Sequence, residues 1–269
     1  MRLVSIEQCP ICGGSSKLVA NVKTLNRGSD LDAQLKSCMK CGHWWHSPVP
    51  PQNELNILYE TASPFVVTEG AKEAYQVKRE DGFHKFVLKY TAKKRSKGNY
   101  LEIGAGGGHL LKIFRQQGFN TYGVDPAQWV RDKDIYPSLK DVPTDISFEV
   151  IVLQDVLEHI SNPIETLGSL RKIAADGALI FCAFPCNDSV PARRGRGKWP
   201  MVLPYGHLHY FSYQSTAKML EQTGWQLKHQ RLASTISVTQ SILKGDWRAL
   251  AYEIVKGSKD QLYLVASPS

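Results

Sequence analysis

Apolar positions in this chain follow two rhythms that alternate. From residue 99 onward, short runs of consecutive apolar residues are each followed by apolar positions at helical spacing. Tyr100, Leu101 and Ile103 make the first run. After a glycine-rich stretch, Leu110, Leu111 and Phe114 mark the inner face of a helix that Gly118 ends. A second run, 120–124, stops at Asp125. Residues 127–146 are short and polar, with room for one small strand around Asp134, Ile135 and Tyr136. The run 148–153 is apolar almost throughout and reads as a strand buried on both faces. Asn162, Pro163 and Glu165 then give a capped helix start with proline at N1, Ile164, Leu167 and Leu170 give its apolar face, and Asp176-Gly177 is read as its end. Residues 178–185 are a fifth strand. Helix 215–222, strand 225–232, a helix around 247–255 and strand 261–265 complete the pattern. Strands alternating with helices predict an α/β fold around a mostly parallel, Rossmann-like sheet.

The first fifty residues read differently. Cys9-Pro10-Ile11-Cys12-Gly13 and Cys38-Met39-Lys40-Cys41-Gly42 are two C-x-x-C knuckles, each closed by glycine. Four thiolates at this spacing form a structural zinc site, and about fifty residues bury too little core to stand without such a staple. Cys9, Cys12, Cys38 and Cys41 are therefore the expected zinc ligands, and His43 and His46 are read as bystanders. Residues 1–50 are taken as a zinc-ribbon-like module with its own core. Pro48, Pro50 and Pro51 follow as a stiff linker, so 51–97 is read as linker and helical segment, with Phe83, Phe86, Val87 and Tyr90 at helical spacing. Residues 98–269 form the main domain.

Composition narrows this little: 42% hydrophobic and 22% charged residues suit an ordinary globular protein. No apolar run approaches the roughly 18 residues of a membrane span, and the N-terminus lacks a signal-peptide core, so a cytoplasmic protein is expected. The net charge of +8 favours anionic partners. Its basic residues are partly clustered, at 93–97 and at Arg193, Arg194, Arg196 and Lys198. Cys182 and Cys186 are read as core or loop thiols.

The glycine-rich stretch is Glu102-Ile103-Gly104-Ala105-Gly106-Gly107-Gly108-His109. A strand, a glycine turn and a helix N-terminus together bring backbone N–H groups close to a polar ligand. The dinucleotide fingerprint G-x-G-x-x-G fails at its third glycine, where His109 stands. The acidic Glu102 would repel a pyrophosphate but not a ligand carrying an ammonium and a sulfonium. Asp125, ending the next strand, stands where a carboxylate accepts hydrogen bonds from ribose hydroxyls.

This stretch resembles motif I of the class I S-adenosylmethionine (SAM) methyltransferases. The residues Leu157-Glu158-His159-Ile160-Ser161-Asn162-Pro163, Asp176-Gly177-Ala178-Leu179-Ile180, Pro185, and Gly206-His207-Leu208-His209-Tyr210-Phe211-Ser212 are similar to motifs of the UbiG-like methyltransferase domain 23 group, over roughly residues 85–235. The resemblance implies a class I sheet closed by an antiparallel hairpin, with segment 53–90 as a lid. It implies a SAM site at Glu102, Gly104, Ala105, Gly106, Gly108, Asp125, Pro126, Gln154, Asp155 and His159. His209, with His207 second, is the candidate base for a hydroxyl acceptor, both lying beyond the loop 185–206. Glu158 and His159 are noted as a weaker pair for a divalent ion. Arg193, Arg194, Arg196 and Lys198 would meet phosphate or carboxylate, and Trp199 and Tyr205 would offer flat faces to a sugar or aromatic ring.

Three functions compete at this point. The first is methyl transfer to a small-molecule acceptor, a hydroxyl of a sugar, a nucleotide-linked sugar or a related metabolite. The second is an RNA methyltransferase that uses the zinc module and basic surface to hold nucleic acid. The third is a non-catalytic SAM-binding or zinc-scaffold protein, against which the intact glycine turn and Asp125 argue.

Overall fold

A computed structural model describes residues 3–23, 32–61, 82–92, 98–127, 133–204, 206–234 and 259–269. Seven strands and four helices set the main frame. β4 (Asn99–Ile103), β5 (Asn120–Val124), β6 (Ile135–Tyr136), β7 (Phe148–Gln154) and β8 (Ala174–Pro185) are parallel to one another, and β10 (Trp225–Ser234) and β11 (Lys259–Pro268) add an antiparallel hairpin. The order across the seven-stranded sheet is β10-β11-β8-β7-β4-β5-β6. α3 (His109–Gln116), α4 (Pro163–Lys172) and α6 (Tyr213–Gln222) cover it, together with the helical residues 82–91, called α2.

Side chains of a strand alternate between the two faces, and the cores divide accordingly. On one face Leu101, Ile151, Leu153, Ile180, Phe184 and Leu264 meet Leu167 and Leu170 of α4 and Met219 and Leu220 of α6. On the other, Tyr100, Val150, Val152, Phe181 and Val265 meet Leu110, Leu111 and Phe114 of α3 and Phe83, Phe86 and Val87 of α2. Both faces are apolar because both are covered, which is why 148–153 reads as an unbroken run. α4 starts as the sequence indicates: the Asn162 side chain accepts the Glu165 N–H at 3.2 Å, and Pro163 holds the first turn. It stops at Lys172, though, before Asp176-Gly177. Those two residues lie inside β8, where six residues, 174 to 179, oppose only 148 to 150 of β7. Gly177, at φ 68°, turns the excess outward.

The cysteine module supplies β1 (Ser16–Lys23), β2 (Asp32–Cys38) and β3 (Trp44–Ser47), followed by α1 (Gln52–Thr61). Its sheet does not end at the module. β9 (His209–Tyr210) pairs with β3, Trp44 opposite Tyr210 and Trp45 opposite His209, so the order is β1-β2-β3-β9. Nor does the module have a core to itself. Cys9, Ile11, Cys38, Cys41 and the fully buried Trp45 belong to the cluster that contains Leu101, Ile151 and Met219. A module this small has no room to cover a tryptophan alone, and the main domain covers it instead. Among the described residues no helix is long and apolar enough to cross a membrane. The helix expected at 247–255, Tyr205 and most of the segment expected to form a lid lie outside the described residues.

Candidate functional site

The glycine turn joins β4 to α3 at the carboxyl end of the sheet, where ligands bind in open α/β folds. Gly104, Gly106 and Gly108 have φ of 73°, 49° and 70°, a backbone that side chains resist. A β-carbon at Gly104 would also strike Val156, from the turn after β7. The Gly106 N–H donates to Asp125 Oδ2 at 2.8 Å, and Asp125 Oδ1 accepts from Ala127 N–H at 2.9 Å. One carboxylate thus ties the turn to the end of β5, with Ala105 buried beneath and Pro126 exposed beside it. Glu102 is buried in β4, directly under the turn.

β7 ends beside this turn. Gln154 Oε1 is buried and lacks a hydrogen-bond partner among the described residues. The next residue, Asp155, has φ 55°, which is uncommon outside glycine and is the kind of strain that collects at functional sites. Asp155 Oδ1 accepts from the Gln261 amide of β11 at 2.9 Å. These features fit a polar organic cofactor: a cradle too tight for side chains, a carboxylate at its rim, and a buried acceptor with nothing to accept from.

Beyond Asp155 the chain makes a short 3-10 turn, Leu157–His159, that brings Glu158 and His159 against His207. The Glu158 side chain is fully buried, and its Oε1 lies 3.9 Å from His159 Nε2. The two imidazole rings are 4.7 Å apart at 69°. The Leu208 N–H donates to the Glu158 carbonyl at 2.7 Å, fixing the 206–212 segment to this turn. His159 therefore groups with Glu158 and His207 rather than with the glycine turn.

His209 is elsewhere. It is 1% exposed, on β9, with Nδ1 at 3.1 Å from His43 Nε2 and its ring against the backbone of Ile160 and Ser161. Burial lowers its pKa to about 4. Burial also lowers His43 well below the ordinary imidazole value and His46 to about 3. His46 Nε2 meets the Tyr210 hydroxyl at 2.9 Å, and that hydroxyl accepts the Leu203 N–H at 3.1 Å. The two histidines expected to be bystanders are thus the contacts that hold β9 and the preceding loop. Their spacing after the second knuckle was visible, but their partners lie 164 and 166 residues away.

The four cysteines converge. Cys9 to Cys41, Cys12 to Cys38 and Cys12 to Cys41 are 3.6, 3.4 and 3.3 Å apart at sulfur. Tetrahedral coordination with bonds of about 2.3 Å sets sulfurs about 3.8 Å apart, so the donor set fits zinc. Burial opposes ionisation of Cys38, but the Cys41 and Lys40 N–H groups bring its pKa down to about 7. A thiol–thiol hydrogen bond with Cys9, and then burial, push Cys41 up. A second clamp joins this knuckle to the main domain: the Ser212 hydroxyl donates to the Cys41 carbonyl at 2.6 Å and the Asn187 amide to the Gly42 carbonyl at 2.8 Å.

The loop after β8 folds as α5 (Val190–Gly195) and a 3-10 turn at Arg196–Lys198 that packs on β1. Arg194, Arg196 and Lys198 are exposed, and Arg193 pairs with Asp188 at 3.0 Å. Trp199 is 1% exposed and part of the core with Leu35 and Tyr210, so it presents no face to a ligand. Cys182 and Cys186 are buried, and burial pushes Cys186 up to about 12.

Comparison with known proteins accords with this frame. Residues 75–230 match the family model described as Methyltransferase domain. The chain belongs to that family, and its sheet is of the class I, Rossmann-like type. Magnesium protoporphyrin IX methyltransferase from Synechocystis PCC 6803, with SAH bound, is similar at 13% identity and TM-score 0.55, over 81% of this chain and 100% of that one. The same enzyme with SAM bound gives 12% and 0.51, over 81% and 97%. A chain from the Haloferax volcanii complex of the Trm112 methyltransferase activator with a candidate methyltransferase gives 15% and 0.54, over 80% and 97%. At these identities the likeness is one of fold. No match was found among curated proteins.

Proposed function

We propose that this chain is a SAM-dependent methyltransferase that modifies an oxygen of a small-molecule acceptor, a sugar, a nucleotide-linked sugar or a related metabolite. The observation that carries the reading is the pairing, at one end of the sheet, of the glycine cradle with a carboxylate–imidazole group. The cradle side would hold the cofactor: Gly104, Ala105, Gly106 and Gly108 by close backbone approach, Asp125 and Pro126 at the ribose, and Glu102, Gln154 and Asp155 around the polar end. SAM, when bound, supplies a methyl group on a sulfonium, ready for in-line displacement by a nucleophile held about 3–3.5 Å away.

The chain's own residues then position the acceptor and manage its proton. Glu158, His159 and His207 stand on the acceptor side and are the groups able to take a proton from a hydroxyl. His209, neutral near pH 7 and seated between His43 and the Ile160–Ser161 backbone, holds the segment that carries His207. This reverses the order in which the two histidines are read from sequence, because a base must reach its substrate. Arg194, Arg196 and Lys198 supply exposed cations for an anionic acceptor. Cys9, Cys12, Cys38 and Cys41 hold a structural zinc ion.

Calorimetric titration with SAM, followed by an acceptor screen that counts SAH released, tests the reading. Micromolar binding of SAM and turnover on a hydroxylated small molecule are expected. Binding of NADH without SAM would overturn it, and methyl transfer to RNA alone would overturn the acceptor class.

A further inference from the structure

We propose that Gln261, in β11, is a positioning residue of the cofactor site: its side-chain amide aims the Asp155 carboxylate at the ammonium end of SAM. This role rests on the methyltransferase reading and brings into that site a strand far from the glycine turn in sequence. β11 runs antiparallel to β8, and Gln261 stands opposite Pro185. Gln154, the last residue of β7, stands opposite Ala183 of the same β8. The start of β11 therefore lies at the carboxyl end of β7 and β8, beside the turn that carries Asp155. Side chains alternate along a strand, so Gln154 shares the face of Val150 and Val152, and Gln261 that of Tyr263 and Val265. Those four residues pack in the core under α2 and α3. The two carboxamides thus share one face of the sheet, the face on which the glycine turn leads into α3.

Asp155 is where the chain needs holding. Among the described residues, only Asp155 and Arg196 have positive φ without being glycine. Such a conformation is costly and persists where neighbours over-determine it. Two hydrogen bonds from two different strands do so here. The Asp155 N–H donates to the Ala183 carbonyl of β8 at 2.8 Å, and Asp155 Oδ1 accepts from Gln261 Nε2 of β11 at 2.9 Å. The first fixes the backbone and the second fixes the carboxylate. Gln261 is 2% exposed and lies 106 residues from Asp155 in sequence. Strand pairing does not require its side chain, because β11 meets β8 in register from Gln261 to Ala266 through the backbone.

The chemistry of the amide selects the role. A carboxylate only accepts, so Gln261 presents its nitrogen to Asp155 and its Oε1 is turned away. Arginine or lysine at this position would orient the carboxylate and also neutralise it. An amide orients the carboxylate and leaves its charge in place, which suits a site whose ligand brings the cation. Gln261 Oε1 and Gln154 Oε1 are both buried without a hydrogen-bond partner among the described residues. A buried acceptor with nothing to accept from is costly. Two such acceptors beside one negative charge suit a group with several N–H donors and a positive charge. The ammonium of SAM is such a group.

Calorimetric titration of the full chain tests this role with SAM, with SAH and with 5′-methylthioadenosine, which is the cofactor without its amino-acid arm. Gln261→Met keeps the length of the side chain and loses the donor. It should weaken SAM and SAH roughly 10-fold, as loss of a hydrogen bond to a charged group does, and leave methylthioadenosine within about twofold. Asp155→Asn tolerates the same backbone and still accepts from Gln261 but lacks the charge, so it should weaken SAM and SAH at least as much. In that background Gln261→Met should cost little more, because a residue that acts through the Asp155 carboxylate then has nothing to aim. Circular dichroism on the same samples reports the fold, and Gln261→Leu takes the place of Gln261→Met if the latter does not fold. Unchanged SAM affinity in a folded variant would overturn the role of Gln261. So would an equal loss for all three ligands, which marks a residue of structure alone, or full additivity of the two substitutions. Wild-type protein that binds neither SAM nor SAH overturns the methyltransferase reading and this role with it, whereas wild-type binding with an unmoved variant overturns this role only.

Discussion

The glycine cradle and the histidine cluster face the same end of the sheet but are built in opposite ways. The cradle comes from one continuous piece of chain, 99 to 127, in which strand, turn, helix and second strand follow directly and Asp125 closes the turn onto Gly106. The cluster comes from two distant segments, and one of them is held in place by a third, the cysteine module, through β3–β9 pairing and His43, His46 and Ser212. The cradle therefore depends on local backbone conformation. The cluster depends on long-range contacts, and through them on whatever holds the module together.

Substitutions separate the two halves. The largest effect is expected at the cradle from Gly106→Asp. The backbone there has φ 49°, and the new carboxylate would lie beside Asp125, whose Oδ2 is 2.8 Å from the Gly106 nitrogen. SAM binding should fall below calorimetric detection while zinc content stays unchanged. A variant that binds SAM within a factor of a few of wild type would show that the turn does not meet the cofactor.

Next comes loss of zinc from the cysteines, by Cys41→Ser or by strong chelation. Were the module independent, it would unfold alone. Because Cys9, Cys38, Cys41 and Trp45 share a core with Leu101 and Ile151, the main domain should be destabilised with it. Structural zinc binding is worth about 10–16 kcal/mol in isolated zinc-finger peptides, and a whole domain is stable by only about 5–15 kcal/mol. A single, lowered melting transition is expected by calorimetry. Two transitions, with the later one unmoved, would restore the independent module.

These two outcomes bear on what the chain discloses before folding. The cradle was legible because its chemistry and its geometry are encoded at the same residues: positive-φ glycines, a strand before, a helix after, an acid at the next strand end. The four cysteines were legible because C-x-x-C spacing is itself the geometry. Long-range pairing has no such local code. Nothing near His43 or His46 states that their partners are His209 and Tyr210, so reading them as bystanders to the zinc leaves their part in holding β9 unseen. Trp199 reads as a ligand platform only while its loop is assumed to hang free; packing on β1 and against Tyr210 puts it inside. Only His209 lies on β9; His207 precedes the strand and sits against His159 while His209 sits against His43, and sequence alone offers no means of ranking them.

A smaller effect is expected from Asp125→Ala. It removes the acceptor for Gly106 N–H and Ala127 N–H and, on the proposed function, a charge-assisted partner of the ribose. SAM affinity should weaken by about 1–3 kcal/mol, and the metal content should not change. An unchanged dissociation constant would move the ribose away from β5.

The smallest effect concerns the module side and is read through pH. His46 is buried, and burial lowers its pKa to about 3 from the ordinary imidazole value of 6.5. In the unfolded chain it binds a proton as pH falls through about 6.5; in the folded chain it does not until near pH 3. Between those values the unfolded state binds more protons, so folding stability falls as pH falls. At pH 5 the single group accounts for about 2 kcal/mol. Glutamine at this position can still meet the Tyr210 hydroxyl, now 2.9 Å from His46 Nε2, but has no proton to gain. His46→Gln should therefore unfold in urea with a weaker dependence on pH from 7 down to 5 than the wild type, the two converging or crossing at the acid end. Zinc release in acid affects both proteins alike and cancels in the difference. Parallel pH profiles would mean that His46 titrates the same way folded and unfolded, and that its contact with β9 is open to water.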